Sequence, residues 1–379
     1  MIKGVFITRL SKFLPNKAIS NDIMEKFLGM VDNKPSLARR IVLKNNGIKN
    51  RYYALDENGN TTHSNTDLTS QAIYKLMDEN FQIEDIELLA CGTTSPDQLL
   101  PSHSSMVHGT IKGKNIELAS FSGACCSGIQ ALKFGYLSIL SGNTNNAVCT
   151  GSERISRWLL AKNFEKETEN LHLLHENPYL AFEKEFIRWM LSDGAGAALL
   201  QNVSTGGDIS LKIEWLDLTS YANKLETCMY AGAEKKKNFP LLGWSEFDSQ
   251  QWLNKSIFSL KQDVKLLGEN IINYGCLYLK EVLAKRNLNI NEIDYFLPHL
   301  SSDFFRIKIY EALSESKILI PEEKWFTNLP KVGNVGAASP YLMLEELFYS
   351  GKLKKGNKIL LMVPESSRFS YAYSLLTVY

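Results

Sequence analysis

Residues 121–142 read FSGACCSGIQALKFGYLSILSG. A short β-like run, IELASFS at 116–122, feeds two adjacent thiols, Cys125 and Cys126, and then a long apolar stretch. From Ser127 to Leu140 the apolar positions are Ile129, Ala131, Leu132, Phe134, Tyr136, Leu137, Ile139 and Leu140, with Lys133 the only charge. A helix apolar almost all round belongs in the interior. Gly142 suits its C-terminal stop. Cys126 is then placed at the N-terminus of a buried helix, directly after a strand.

Outward from this junction, strands and helices alternate, the pattern of an α/β fold. Strand-like runs are VFITRL, IELLACGT, IELASFS, NAVCTGSE, GAALLQ, ISLKIEWLDL, DYFLPH and KILLMVPE. Helical patterns fall at 68–79, 127–141, 262–286, 303–313 and 339–350. The Gly/Ser/Asp-rich stretch at 201–210 reads as a loop and divides the chain. The order helix, strand, glycine turn, helix, strand occurs on each side of it, a hint of internal duplication. The expected units are 1–205 and 206–379. Residues 155–190 interrupt the alternation with a mostly helical, aromatic-bearing insert. It reads either as an amphipathic cap over the core or as a cover over a pocket for an apolar ligand.

Composition excludes several functions. The 379 residues are 44% hydrophobic and 22% charged with a net charge of +1, so the whole molecule is not built to hold nucleic acid. No run of about 18 apolar residues predicts a membrane span. The opening MIKGVFITRL reads as a first strand rather than a signal peptide. Six cysteines without metal-ligand spacing predict reduced thiols in the cytoplasm, no metal and no cofactor.

The chemistry rests on three places. At Cys126, free N–H groups and the positive end of the helix dipole would favour a thiolate and could hold an oxyanion. The bland alternative is packing, which is how Cys91, Cys125, Cys149, Cys228 and Cys276 are read. His299 follows DYFLP, at a strand end, where α/β sheets present functional groups. His63, His103, His108, His172 and His175 are read as surface or packing residues. Asn334 lies between Gly333 and Val335-Gly336, and Pro340 suits the first turn of the helix that follows. By itself it is a turn residue. Beside a Cys and a His it becomes a neutral donor to a thioester oxygen.

Taken together, NNGIKNRY (45–52), GTTSPDQLLPS (92–102), GACCSGIQAL (123–132), GSERIS (151–156), LSDGAGAAL (191–199), PHLSS (298–302) and GNVGAAS (333–339) resemble the thiolase-fold condensing enzymes, closest to β-ketoacyl-ACP synthase III. The resemblance implies a duplicated βαβαβαββ unit in five αβαβα layers and a homodimer. It implies Cys126 as nucleophile and His299 and Asn334 as its catalytic partners. It also implies that Leu99 and Leu100, on the loop after TTSPDQ, help close the acyl pocket of the partner subunit.

Departures from the family pattern narrow the expectation. HLSS stands where the family has HQAN, and Ile41 takes the place of a coenzyme A-stacking tryptophan, which favours substrates borne on acyl carrier protein. PESSRFSY (364–371) replaces a glycine-rich loop, leaving the N–H near Ser367 to complete an oxyanion hole. These features resemble the ketosynthase/cyclases that make dialkylresorcinol or stilbene precursors. Such an enzyme joins a β-ketoacyl and an α,β-unsaturated acyl thioester into a cyclohexane-1,3-dione. Glu153, at the end of NAVCTGSE, is a candidate base, with an ion pair to Arg154 as the alternative. Arg306, Lys308 and the run Lys235–Lys236–Lys237 are candidates for meeting an acidic carrier protein, Arg306 foremost. Two other readings stay open: an ordinary decarboxylative synthase III using malonyl-ACP, and a non-catalytic thiolase-fold partner subunit.

Overall fold

The computed structural model describes residues 4–30, 33–163, 187–204, 209–235 and 240–379. Its frame is a nine-stranded sheet. Five strands come from the first half: β1 (Phe6–Phe13), β2 (Leu88–Thr93), β3 (Glu117–Ser122), β4 (Asn146–Glu153) and β5 (Gly194–Gln201). Four come from the second: β6 (Leu211–Ser220), β7 (Tyr295–Pro298), β8 (Lys358–Glu365) and β9 (Ser370–Val378). The order across the sheet is β7-β8-β9-β6-β1-β5-β4-β2-β3.

The expected duplication is visible in that order. In the first half β1-β5-β4-β2-β3 combines parallel β3-β2-β4 pairing with antiparallel β4-β5-β1 pairing. In the second half β6-β9-β8-β7 repeats it, with β7 parallel to β8 and β8-β9-β6 antiparallel. The counterpart of β3 is reduced to a single parallel bridge between Phe296 and Trp325. The halves join where Phe6 and Ile7 of β1 meet Lys212 and Leu211 of β6.

Six helices complete the layers: α1 (Asn65–Tyr74), α2 (His103–Ile111), α3 (Cys126–Ser141), α4 (Val264–Arg286), α5 (Phe304–Glu315) and α6 (Ser339–Phe348). Helix α3 touches strands of both halves, as does α6, and they form the middle layer. α1 and α2 cover the first half-sheet, while α4 and α5 cover the second. Local chemistry sets the helix starts. Ser64 and Asp67 form a capping box on α1, and the Asp263 carboxylate accepts the Leu266 N–H at the start of α4. Contact within the middle layer is close enough to demand glycine. A Cβ on Gly128 would lie 2.2 Å from the Ala337 carbonyl oxygen, and one on Gly151 would lie 2.1 Å from it.

Three expectations are revised. Residues 370–378 were not expected as a strand, yet β9 lies inside the sheet between β8 and β6. The hairpin leading to it carries no glycine: Phe369 takes the positive φ of 56° and is fully buried. Helix α2 was also not anticipated. Finally, α3 is not apolar inward all round, because Leu137 is 47% and Leu140 58% exposed near its C-terminus. The central part of the insert, 164–186, lies outside the described residues, as do His172, His175, Lys236 and Lys237. Among the described residues no helix is long and apolar enough to cross a membrane, and no group of three or more His, Cys, Asp or Glu could hold a metal.

Candidate active site

A cavity opens where the two halves meet. Its polar end is lined by Cys125, Glu153, Thr94, His299 and Asn334. Mostly apolar side chains line the remainder, among them Leu267 and Ile271 of α4, Ile309 and Leu313 of α5, and Met362 and Tyr371 from β8 and β9, with Gln262, Ser301 and Ser366 between them. Ile155, Ile187 and Met190, at the described ends of the insert, line it too.

His299 is delivered by β7. Its N–H donates to the Met362 carbonyl at 2.8 Å, so its backbone continues the pairing of β7 with β8. Burial lowers its pKa from 6.5 to about 4, because the charged imidazolium would lose its hydration. The ring is therefore neutral at pH 7, and its buried Nε2 has no hydrogen-bond partner among the described residues. Asn334 is held by its backbone, with N–H donating to Met190 O at 3.0 Å and its carbonyl accepting from Ser192 N–H at 2.9 Å. Its Oδ1 accepts the Gly336 N–H at 2.9 Å. That bond leaves the Nδ2 end of the amide as the donor toward the cavity.

Glu153 ends β4 and is 3% exposed. Oε1 accepts from Thr94 Oγ1 at 2.6 Å and from the Ala337 N–H at 3.1 Å, and Oε2 accepts from Ser95 Oγ at 2.7 Å. The alternative considered for it is absent: Arg154 pairs with Asp97 at 3.0 Å, and Glu153 meets no cation among the described residues. Desolvation exceeds the effect of its hydrogen bonds and raises its pKa from 4.5 to about 7. A Cβ on Gly336 would come 2.8 Å from Oε1, so glycine there makes room for the carboxylate.

Cys126 is the first residue of α3, as expected, but its surroundings differ from those expected. The side chain is fully buried, and it is Cys125, not Cys126, that lines the cavity. Its Sγ–H donates to Val363 O at 3.3 Å, and its N–H donates to Glu365 Oε2 at 3.0 Å. The lowered thiol pKa expected at a helix tip is reversed here. Burial pushes the thiol well up, and the Glu365 and Cys125 charges push in the same direction. The helix-tip N–H that would favour a thiolate is already taken by a carboxylate.

The remaining candidates lie farther out. Leu99 and Leu100 are 71% and 84% exposed and do not line this chain's cavity. Ser367 Oγ donates to Glu365 Oε1 at 2.5 Å, while the neighbouring Ser366 lines the cavity. Arg306 pairs with Asp303 at 2.9 Å, and Lys308 stands 4.3 Å from the Phe304 ring. Lys235 pairs with Glu226 and Asp263. Reading residue by residue passed over Glu365, Thr94, Ser95 and the exposure of Cys125 to the cavity. The available signal was that β4 and β8, eight residues each, both end in Glu.

Residues 283–364 match the family described as 3-oxoacyl-[acyl-carrier-protein (ACP)] synthase III C terminal. The beta-ketoacyl-[acyl-carrier-protein] synthase III of Clostridium perfringens is 29% identical over 354 residues, covering 92% of each chain. That of Clostridioides difficile is 25% identical over 361 residues, covering 94% of this chain and 93% of its own. Among solved structures, a tetronic acid condensing enzyme superposes with a TM-score of 0.76 at 20% identity over 98% of this chain and 99% of its own. The synthase III of Aquifex aeolicus gives 0.71 at 23% over 99% and 100%. OleA of Xanthomonas campestris, solved with lauric acid and lauroyl-CoA bound, gives 0.74 at 19% over the whole of both chains. The chain is synthase III-like in sequence over most of its length and thiolase-like in fold.

Proposed function

We propose that this synthase III-like chain is a condensing acyltransferase that joins two acyl thioesters through an acyl-Cys126 intermediate. The observation carrying the reading is the cavity. It joins a largely apolar lining to His299, Asn334, Glu153 and Cys125 beside the tip of α3. Cys126 takes the acyl group from an acyl carrier protein. The neutral His299 and the Asn334 amide donate to the thioester oxygen of the second substrate as it gains enolate charge. The relatives named for acyl-carrier-protein substrates support that partner, and Arg306 and Lys308 on α5 supply positive charge for its acidic surface.

The finer reading is a ketosynthase/cyclase. A β-ketoacyl carbanion adds to the β-carbon of an enoyl thioester, and Claisen closure gives a cyclohexane-1,3-dione and releases a thiol. Without decarboxylation this carbanion needs a base. Glu153, buried, free of cations and titrating near neutrality, is that base. A decarboxylative synthase III is the second reading, favoured by the names of the relatives. Incubation with paired β-ketoacyl-ACP and enoyl-ACP, followed by product analysis, tests the choice. A cyclic dione is expected; a linear product with carbon dioxide from malonyl-ACP would establish the second reading. An unmodified Cys126 after exposure to acyl-ACP would make the chain an inert partner subunit.

The functional unit is a homodimer formed across β3. Among the described residues this edge strand has one unpaired side, and the exposed Leu137 and Leu140 of α3 and the Leu99–Leu100 loop add apolar surface for a second copy.

A further inference from the structure

Strands β4 and β8 occupy equivalent places in the two halves, and both end in a buried Glu. Each carboxylate reaches across the middle layer to the start of the other half's central helix. Glu153 accepts the Ala337 N–H, just before α6, at 3.1 Å; Glu365 accepts the Cys126 N–H, at the tip of α3, at 3.0 Å. The second meets the first N–H of α3, where the helix dipole favours an anion, whereas Ala337 lies in the short 3₁₀ turn that precedes α6. Only the second falls on a residue proposed to carry an acyl group.

We propose that Glu365 is a positioning carboxylate for Cys126: it holds the N–H at the tip of α3 and must leave that N–H before an acyl oxygen can take it. After burial, its charge is the next influence that disfavours the thiolate beside it. The inference rests on the reading that Cys126 accepts the acyl group. In that transfer the Cys126 S–H bond breaks and an Sγ–C bond forms to the acyl carbonyl. The carrier's C–S bond then breaks, and the proton ends on the carrier thiol. The tetrahedral intermediate between these steps bears an oxyanion that needs the Cys126 N–H. A carboxylate and an oxyanion cannot both sit on one N–H, because the two negative charges would repel at van der Waals contact.

The carboxylate is well placed to act in this way. Glu365 is 7% exposed and pairs with no cation among the described residues, and its other oxygen accepts from Ser367 Oγ. Among the described residues the groups whose charge acts on the Cys126 thiol are Glu365, Cys125 beside it and Tyr371 from β9. None of these is a cation.

The test is the rate of iodoacetamide alkylation at Cys126 as a function of pH, with the modified cysteine located by mass spectrometry, in the full chain and in Glu365→Gln and Glu365→Ala. Both variants should move the Cys126 profile down by at least one pH unit, a rise of about tenfold in rate at a fixed pH below the thiol pKa. Ser367→Ala, which frees one carboxylate oxygen, should move it by less and serves if the Glu365 variants do not fold. Cys126 profiles unchanged in all folded variants would overturn the role of Glu365 while leaving Cys126 as nucleophile. Cys126 unlabelled and unacylated in every variant, with Cys125 labelled, would overturn both.

Discussion

At the scale of single residues, burial sets the chemistry. Glu153 and His299 are moved past each other in pKa, the carboxyl up to about 7 and the imidazole down to about 4, by the same cause, loss of hydration, acting on opposite charges. The result at pH 7 is a neutral imidazole in the same cavity as a carboxylate near its midpoint. If Glu153 is the base, condensation should rise with pH through about 7 in the wild type. Glu153→Gln should lose that rise and slow condensation by about 10²–10⁴-fold, while Cys126 still takes acyl from acyl-ACP. An unaltered pH–rate profile would remove Glu153 from the mechanism. For Asn334→Ala, loss of one oxyanion donor should cost about 10²–10³-fold in condensation. Single-turnover acylation of Cys126 should be nearly unaffected, since Asn334 is assigned to the second substrate. Equal losses in both steps would disprove that division.

At the scale of elements, the site depends on how closely α3 meets the turn before α6. Gly128→Ala would put a methyl group 2.2 Å from the Ala337 carbonyl oxygen, against backbone that also carries the N–H bonded to Glu153. Urea unfolding should show a loss of about 3 kcal/mol or more, the upper range for overpacking. Gly142→Ala, at φ 79° with open space around it, should cost only the left-handed penalty of about 1–2 kcal/mol. A Gly128→Ala protein as stable as Gly142→Ala would contradict the close contact.

At the scale of the whole molecule, two properties are measurable. The proposed dimer predicts sedimentation at twice 42.8 kDa. Leu137→Glu with Leu140→Glu should yield monomers of reduced activity, and a monomeric wild type would refute the assembly. The second property is the pH dependence of stability. The folded pKa of Glu153 is raised from 4.5 to about 7, so the folded state holds the extra proton in that window. Its contribution is present below about 4.5 and is lost as pH rises toward 7, at most about 3 kcal/mol. His299, lowered from 6.5 to about 4, acts oppositely: stability increases with pH across that window. The melting temperature of Glu153→Gln relative to wild type should therefore climb between pH 5 and pH 8. A constant difference would mean that Glu153 titrates normally.

What could be read from the chain was local. Strand–turn–helix junctions place Cys126, His299 and Asn334 at element ends, because turn glycines, prolines and apolar periodicity act over a few residues. β9 escaped because its hairpin turns on Phe369 rather than on a glycine, and a buried aromatic at positive φ leaves no turn signal in the sequence. The thiol's environment escaped for a different reason. Cys126 and Glu365 are 239 positions apart and meet only when β8 packs against the tip of α3. The sequence alone determined which side chains stand at the ends of strands and helices. Only the tertiary structure decided which charges those ends face, and hence the protonation of the groups there, because desolvation and Coulomb interaction depend on distance in space rather than along the chain.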